Sequence, residues 1–152
     1  MNPDQWNAAA GPGGCLAKAL TDGDEAVFHV TGDCMAPEVD DLAAVRVKRA
    51  RFLVPGDLVA FRDPQRHRLV VHRFLGYVRR RGEWRLMIKS DRGAGPDPLV
   101  ATACVLGKAI ARDGEAVRVS LAKRLQAMGQ YAAWCTRGLI RRARPTAKQR
   151  PQ

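Results

Sequence analysis

The sequence predicts a mainly β fold, with one antiparallel β-domain followed by a C-terminal amphipathic helix. Short runs of apolar and β-branched residues recur through the middle of the chain, and several alternate with polar residues, as half-buried strands do. Segments rich in Gly, Pro and Asp separate these runs and leave no room for the helices of βαβ units. After residue 119, apolar residues recur at helical spacing instead.

The chain has 152 residues, which is enough for one domain with a buried core. We expect a flexible N-terminal segment over residues 1–25, a β-domain over 26–119, a basic helix over 120–143 and a disordered tail over 144–152. The predicted strands of the β-domain lie at 26–30, 42–48, 57–62, 68–78, 83–89 and 101–111.

Ser120 is a suitable N-cap for the predicted helix, because its hydroxyl can accept a bond from a free N–H group of the first turn. The apolar side chains of this helix form one stripe. We expect the stripe to pack onto the β-domain, as amphipathic helices usually do. The alternative is that the basic helix lies on a membrane surface. The stripe consists of Leu121, Leu125, Met128, Ala132 and Leu139.

Charge is unevenly distributed along the chain, which has a net charge of +11. Residues 1–41 contain eight acidic side chains and one Lys, whereas residues 118–152 contain nine Lys or Arg and no acid. Such a basic region favours contact with a polyanion, or is a solvated tail. The sequence has no long apolar run and no N-terminal secretion signal. We therefore expect a cytoplasmic protein, with peripheral contact at the inner membrane surface as an option.

Four cysteines, Cys15, Cys34, Cys104 and Cys135, show no paired C-x-x-C spacing, so neither a zinc ribbon nor a thioredoxin-type site is indicated. In a cytosolic protein they should be reduced thiols. A metal site made by Cys34, His72 and Cys104 would fit no standard ligand set. We expect neither a metal nor a cofactor.

Cys34 follows a predicted strand at a turn in which Pro37 could begin a short helix, whose free N–H groups would favour a thiolate. His72 lies in an otherwise apolar strand, so the two side chains could form a nucleophile–base pair. Asp91 or Asp97, in the Gly- and Pro-rich loop after residue 89, could fix the tautomer of the imidazole. The structural alternatives are a small buried thiol, a core histidine and ordinary turn aspartates.

Six short motifs occur in an order that resembles the signal-peptidase and LexA-type self-cleaving peptidase superfamily. The resemblance covers about residues 26–112. Two departures from the family pattern occur together, since Cys34 replaces the family's serine and His72 replaces its lysine, and a thiol is acidic enough for imidazole to activate. A third departure places Ser90 in the family's Lys-Gly-Asp motif. The motifs are "GDCMAP" (32–37), "DDLAAV" (40–45), "PGDLVAF" (55–61), "VVHRFLG" (70–76), "IKSDRGAGPD" (88–97) and "VLGKAIA" (105–111).

The resemblance implies an endopeptidase that cleaves a peptide or protein precursor bound in extended form. Gly32 and Met35 would then border the substrate, although core packing is the favoured role for Met35. Self-cleavage at Ala10–Gly11 is another option. The competing hypothesis is an inactive binding module whose basic region contacts a membrane or, less favoured, nucleic acid. The sequence leaves the oligomeric state open.

Overall fold

The computed structural model describes residues 25–30, 32–63 and 68–143. Residues 1–24 of the predicted N-terminal segment, with Cys15, and the predicted C-terminal tail lie outside the described residues, whereas Glu25, also assigned to that segment, begins the first strand. The described chain forms eight strands, a short 3₁₀ turn and one long helix, α1. The strands are β1 (Glu25–His29), β2 (Ala44–Lys48), β3 (Leu58–Asp63), β4 (Arg68–Arg80), β5 (Glu83–Lys89), β6 (Val100–Ala101), β7 (Val105–Arg112) and β8 (Glu115–Ala116), the 3₁₀ turn is Thr102–Cys104 and α1 is Leu121–Ala143.

The strands form one sheet in the order β1-β2-β7-β3-β4-β5-β6, with β8 beside β7. Every strand pair in it is antiparallel. Two hairpins turn through residue pairs with left-handed backbones, Arg81–Gly82 and Asp113–Gly114, which suits the twist of antiparallel strands. The prediction of a mainly β, antiparallel fold with a C-terminal helix is confirmed.

Strands β3 and β4 are covered on both faces, which explains why their sequences are nearly continuous apolar runs. Along β3, Leu58 and Ala60 face one hydrophobic cluster, whereas Val59 and Phe61 face another. On β4, the residues of even number from Val70 to Phe74 lie on the side of the second cluster, and those of odd number lie opposite. The second side therefore carries His72, and the first side carries Arg73.

Helix α1 is attached to the β-domain through a face that the sequence did not predict. Its buried face consists of Ala127 with the rings of Tyr131 and Trp134, which pack near Leu75 and Met87. Close packing is possible because position 76 is glycine, since a Cβ there would lie 2.5 Å from the nearest atom of the tyrosine ring.

The first turn of α1 is fixed by polar contacts. The Ser120 hydroxyl accepts the Lys123 N–H at 3.3 Å, so the predicted N-cap is confirmed. Arg124 forms a 3.1 Å ion pair with the fully buried carboxylate of Asp57. The expectation that the apolar stripe packs onto the β-domain is wrong, because its leucines and Met128 are more than half exposed.

Two further differences concern the end of the β-domain. The run over residues 101–111, predicted as one strand, is divided by the 3₁₀ turn, and the two-residue strand β8 was not predicted. Among the described helices, none is long and apolar enough to cross a membrane.

Candidate active site

His72 lies near the middle of β4 with only 12% of its side chain exposed. Its Nδ1 is 2.7 Å from Oδ2 of Asp97, and the ring of Phe61 meets the imidazole edge-on at 5.8 Å between centroids. The Nδ1–Oδ2 separation is that of an ion pair, but Nδ1 has no hydrogen-bond partner of good geometry. A carboxylate in this place favours a proton on Nδ1 and leaves Nε2 as the basic nitrogen.

Asp97 is held in place by the backbone of the strand that precedes its loop. Its N–H donates to the carbonyl of Ile88 at 3.0 Å, and its Oδ2 accepts the N–H of Ser90 at 3.1 Å. Of the two aspartates that the sequence left open, Asp97 is therefore the one that contacts His72.

Asp91 has a different partner. Arg73, which is only 3% exposed, donates from Nε and Nη2 to the two oxygens of Asp91 at 2.8 and 2.6 Å. The same guanidinium donates to the carbonyl of Gly56 at 2.7 Å and contacts Glu38. Arg73 therefore has a structural role, since it ties three separate loops together.

In this ion pair the pKa of Asp91 is lowered and the pKa of Arg73 is raised. Burial alone would raise the pKa of Asp91, but the hydrogen bonds and charge of Arg73, helped by Lys123, lower it overall. Burial likewise opposes the charge of Arg73, but the two carboxylates raise its pKa overall. Both groups therefore stay ionised.

Cys34 lies in a turn, and the short helix expected at Pro37 is absent from this segment. The turn follows Gly32, whose φ of 99° is in the left-handed region that favours glycine. The carbonyl of Cys34 accepts the hydroxyl of Ser90 at 3.0 Å and the N–H of Arg92 at 3.3 Å. The loop that carries Asp97 therefore also holds the backbone of Cys34.

The thiol of Cys34 is not pre-ionised. Burial raises its pKa, and the negative charges of Asp97 and Asp91 raise it further. Its own backbone N–H and the positive charge of Arg68 act in the opposite direction but do not prevail. The expected stabilisation of a thiolate by free helical N–H groups is therefore wrong for the resting state.

Met35 has no exposed surface and belongs to the hydrophobic core, in agreement with its packing role, so it does not border a solvent-accessible groove. Gly32 is exposed, and its N–H donates to Oδ1 of Asp41 at 2.7 Å.

A cleft of about 300 Å³ opens beside the imidazole and the carboxylate of Asp97. Its walls are mostly apolar, and Cys104 and Arg68 are among the residues that line it. This cleft could receive a side chain of an extended peptide. Within the described part of the chain, no three ligand-forming side chains converge on a common point that could hold a metal ion.

Two residues of this region were missed by sequence reasoning. Arg68 could have been found from strand periodicity, since positions 68, 70 and 72 lie on one face of β4. Ser90 left no such signal, because its bonds to Cys34, Gly93 and Asp97 depend on how the loop folds back.

No protein-family model matches the chain, and no curated protein has significant sequence similarity to it.

Proposed function

We propose that the protein is an endopeptidase of the signal-peptidase and LexA type, in which Cys34 is the nucleophile and His72 the general base. The observation that carries this proposal is that one residue of the loop, Ser90, links the backbone of Cys34 to the partner of His72. Its hydroxyl donates to the carbonyl of Cys34 at 3.0 Å, and its N–H donates at 3.1 Å to Oδ2 of Asp97, which lies 2.7 Å from Nδ1 of the imidazole. The antiparallel sheet and the order of the six motifs also support the proposal.

In the first half of the reaction, Nε2 of His72 takes the proton of the Cys34 thiol as the sulfur bonds to the carbonyl carbon of the substrate. The C–N bond then breaks, the amine leaves with the proton from His72, and a thioester remains. In the second half, water gives a proton to His72 and adds to the thioester. The C–S bond breaks, and the sulfur regains its proton.

The electrostatics of the site support a role for each group in this cycle. Because the pKa of the thiol is raised, the proton transfer accompanies the attack and does not precede substrate binding. Asp97 stabilises the imidazolium that forms, and Arg68 lowers the cost of the developing thiolate. Asp97 is placed to orient the base, whereas Asp91 maintains the structure around it.

The substrate we favour is a separate peptide or protein precursor, bound in extended form with its main chain hydrogen-bonded next to the site. The Ala10–Gly11 bond, the alternative self-cleavage site, lies outside the described residues.

The test compares peptide termini in cells that express the wild-type protein, Cys34→Ala or His72→Ala. We expect a set of termini that disappears in both variants. Cys135→Ala is the matched control, because that free thiol is also partly buried but does not line the cleft beside His72, and its termini should equal those of the wild type. Termini that persist in Cys34→Ala would contradict the proposal.

The second candidate function is a binding module without catalysis. The raised pKa of the Cys34 thiol favours it, because an inert thiol needs no ionisation. In that case Cys34→Ala would retain full activity in a cellular complementation assay, and its ligand binding would equal that of the wild-type protein.

A further inference from the structure

The solvent-facing side of α1 is apolar, which is the reverse of the usual arrangement for a surface helix. Leu121, Leu125, Met128 and Leu139 are 72, 58, 53 and 65% exposed, and Ile140 is 53% exposed. With 3.6 residues per turn, the first four lie within a stripe roughly 60° wide that runs along most of the helix. We call these five residues the outer stripe.

The outer stripe cannot turn inward while the helix stays docked. A second face, roughly 120° around the helix axis from the outer stripe, is held by the Tyr131 and Trp134 rings, and the first turn is held by the ion pair between Arg124 and Asp57. The members of the outer stripe remain more than half exposed in the described part of the chain. An exposed apolar surface of this length marks an interaction site.

The charges of the C-terminal region of the sequence indicate the chemistry of the partner. Residues 118–152 contain nine Lys or Arg and no Asp or Glu. Arg79 and Arg80, from the hairpin between β4 and β5, face Leu139 across a cleft of about 750 Å³. A second copy of the chain docked on this helix would bring two strongly basic segments together, which is unfavourable. An anionic surface would be attracted.

We propose that α1 is a peripheral membrane-binding helix that lies in the interface of a bilayer containing anionic phospholipids. The outer stripe enters the boundary between headgroups and acyl chains, while the arginines contact phosphate groups. At 1.5 Å per residue the helix is about 34 Å long, so it can lie flat on the bilayer.

The position of the helix relates the membrane surface to the candidate active site. The cleft that carries Leu139 and the two hairpin arginines is also lined by Asp97, the residue in contact with His72. A bilayer bound to α1 would therefore lie near the cleft beside His72. Membrane binding itself does not depend on peptidase activity, and Cys34→Ala should bind vesicles as the wild-type chain does.

The test is co-sedimentation of the full chain with vesicles of phosphatidylcholine alone or of an equal mixture of phosphatidylcholine and phosphatidylglycerol. We expect binding to the mixed vesicles, weakened by salt, and little binding to the neutral ones. Leu125→Gln with Leu139→Gln should weaken partitioning by about tenfold or more, because two inserted apolar side chains are lost. Val27→Gln with Phe52→Gln, which changes two exposed apolar residues outside α1, should bind as the wild type does.

Several results would overturn the proposal. The first is wild-type protein that stays in the supernatant with both vesicle types. The second is equal loss of binding in the control pair. The third is a stable dimer in lipid-free solution, seen by light scattering, that Leu125→Gln with Leu139→Gln dissociates. Thermal melting of both double variants shows that they are folded, since all four positions are exposed.

Discussion

Replacement of Arg73 by Met removes the cation that joins the loops around the candidate site. The guanidinium is 3% exposed and donates three hydrogen bonds of 2.6–2.8 Å, two to Asp91 and one to the carbonyl of Gly56. Breaking a buried ion pair by removing one partner costs about 3–5 kcal/mol.

The lower end of that range applies here. Asp91 and Glu38 are 15 and 21% exposed and both have Lys123 within 4 Å, so water and a second cation compensate in part. We expect Arg73→Met to lower the free energy of unfolding by about 3 kcal/mol. For a chain of this size that corresponds to a melting temperature lower by about 6–12 °C.

Urea unfolding followed by circular dichroism measures the change in the free energy of unfolding, with Arg85→Met as the control. Arg85 forms its ion pair with Glu83 at the surface, where the side chains are 38 and 69% exposed, so its loss should cost less than about 1 kcal/mol. Equal costs for the two variants would refute the reasoning.

The ion pair between Arg73 and Asp91 also makes the free energy of unfolding depend on pH. The pKa of Asp91 is lower in the folded chain than its ordinary value of 3.8, so the ion pair stabilises fully above that pH. Its contribution is lost as the pH falls through the folded value. The difference in the free energy of unfolding between the wild type and Arg73→Met should therefore become smaller below about pH 4. A difference that stays constant from neutral to acidic pH would contradict the role assigned to this pair.

Three further predictions concern single contacts. Alkylation of Cys34 by iodoacetamide should increase with pH through the alkaline range, because burial raises the pKa of the thiol. Arg68→Gln should slow the alkylation at every pH below that pKa, and a rate independent of residue 68 there would contradict the electrostatic role of that arginine. Ser90→Ala should cost about 1 kcal/mol in urea unfolding and speed amide exchange in the loop that follows, and unchanged exchange would show that the hydroxyl does not hold the loop. Gly76→Ala should destabilise the protein by about 2 kcal/mol, because the added Cβ would overlap the ring of Tyr131. Gly129→Ala, whose Cβ meets open space within the helix, should stabilise the protein by up to about 1 kcal/mol. Similar urea midpoints for the two variants would contradict the docking of α1.

The elements that local patterns encode were predicted well. Strand β5 has the predicted bounds, and the Ser120 cap and the turn at Arg81–Gly82 follow from residue type and spacing. The choice between Asp91 and Asp97 as the partner of His72 was not predictable, because both occur in one loop and only its path decides which carboxylate reaches the imidazole.

For the helix, too, local features were predicted and the tertiary contacts were not. Its position and length follow from spacing and from the cap, but the sequence contains two apolar faces, and periodicity alone selected the one with the leucines. The structure buries the face with Ala127 and the aromatic rings, because the bare backbone at Gly76 admits the tyrosine ring closely and Asp57 receives Arg124.

The amino-acid sequence by itself determined the antiparallel β class, the helix and the basic C-terminal region, since these depend on short-range pattern and residue chemistry, and it suggested Cys34 and His72 as a candidate pair. Only the tertiary structure decided that Asp97 contacts the histidine, that Asp91 belongs to Arg73 and that the leucines of α1 face solvent. Those outcomes depend on contacts between residues far apart in the chain, and such contacts are set by the packing of the whole domain and not by any local pattern.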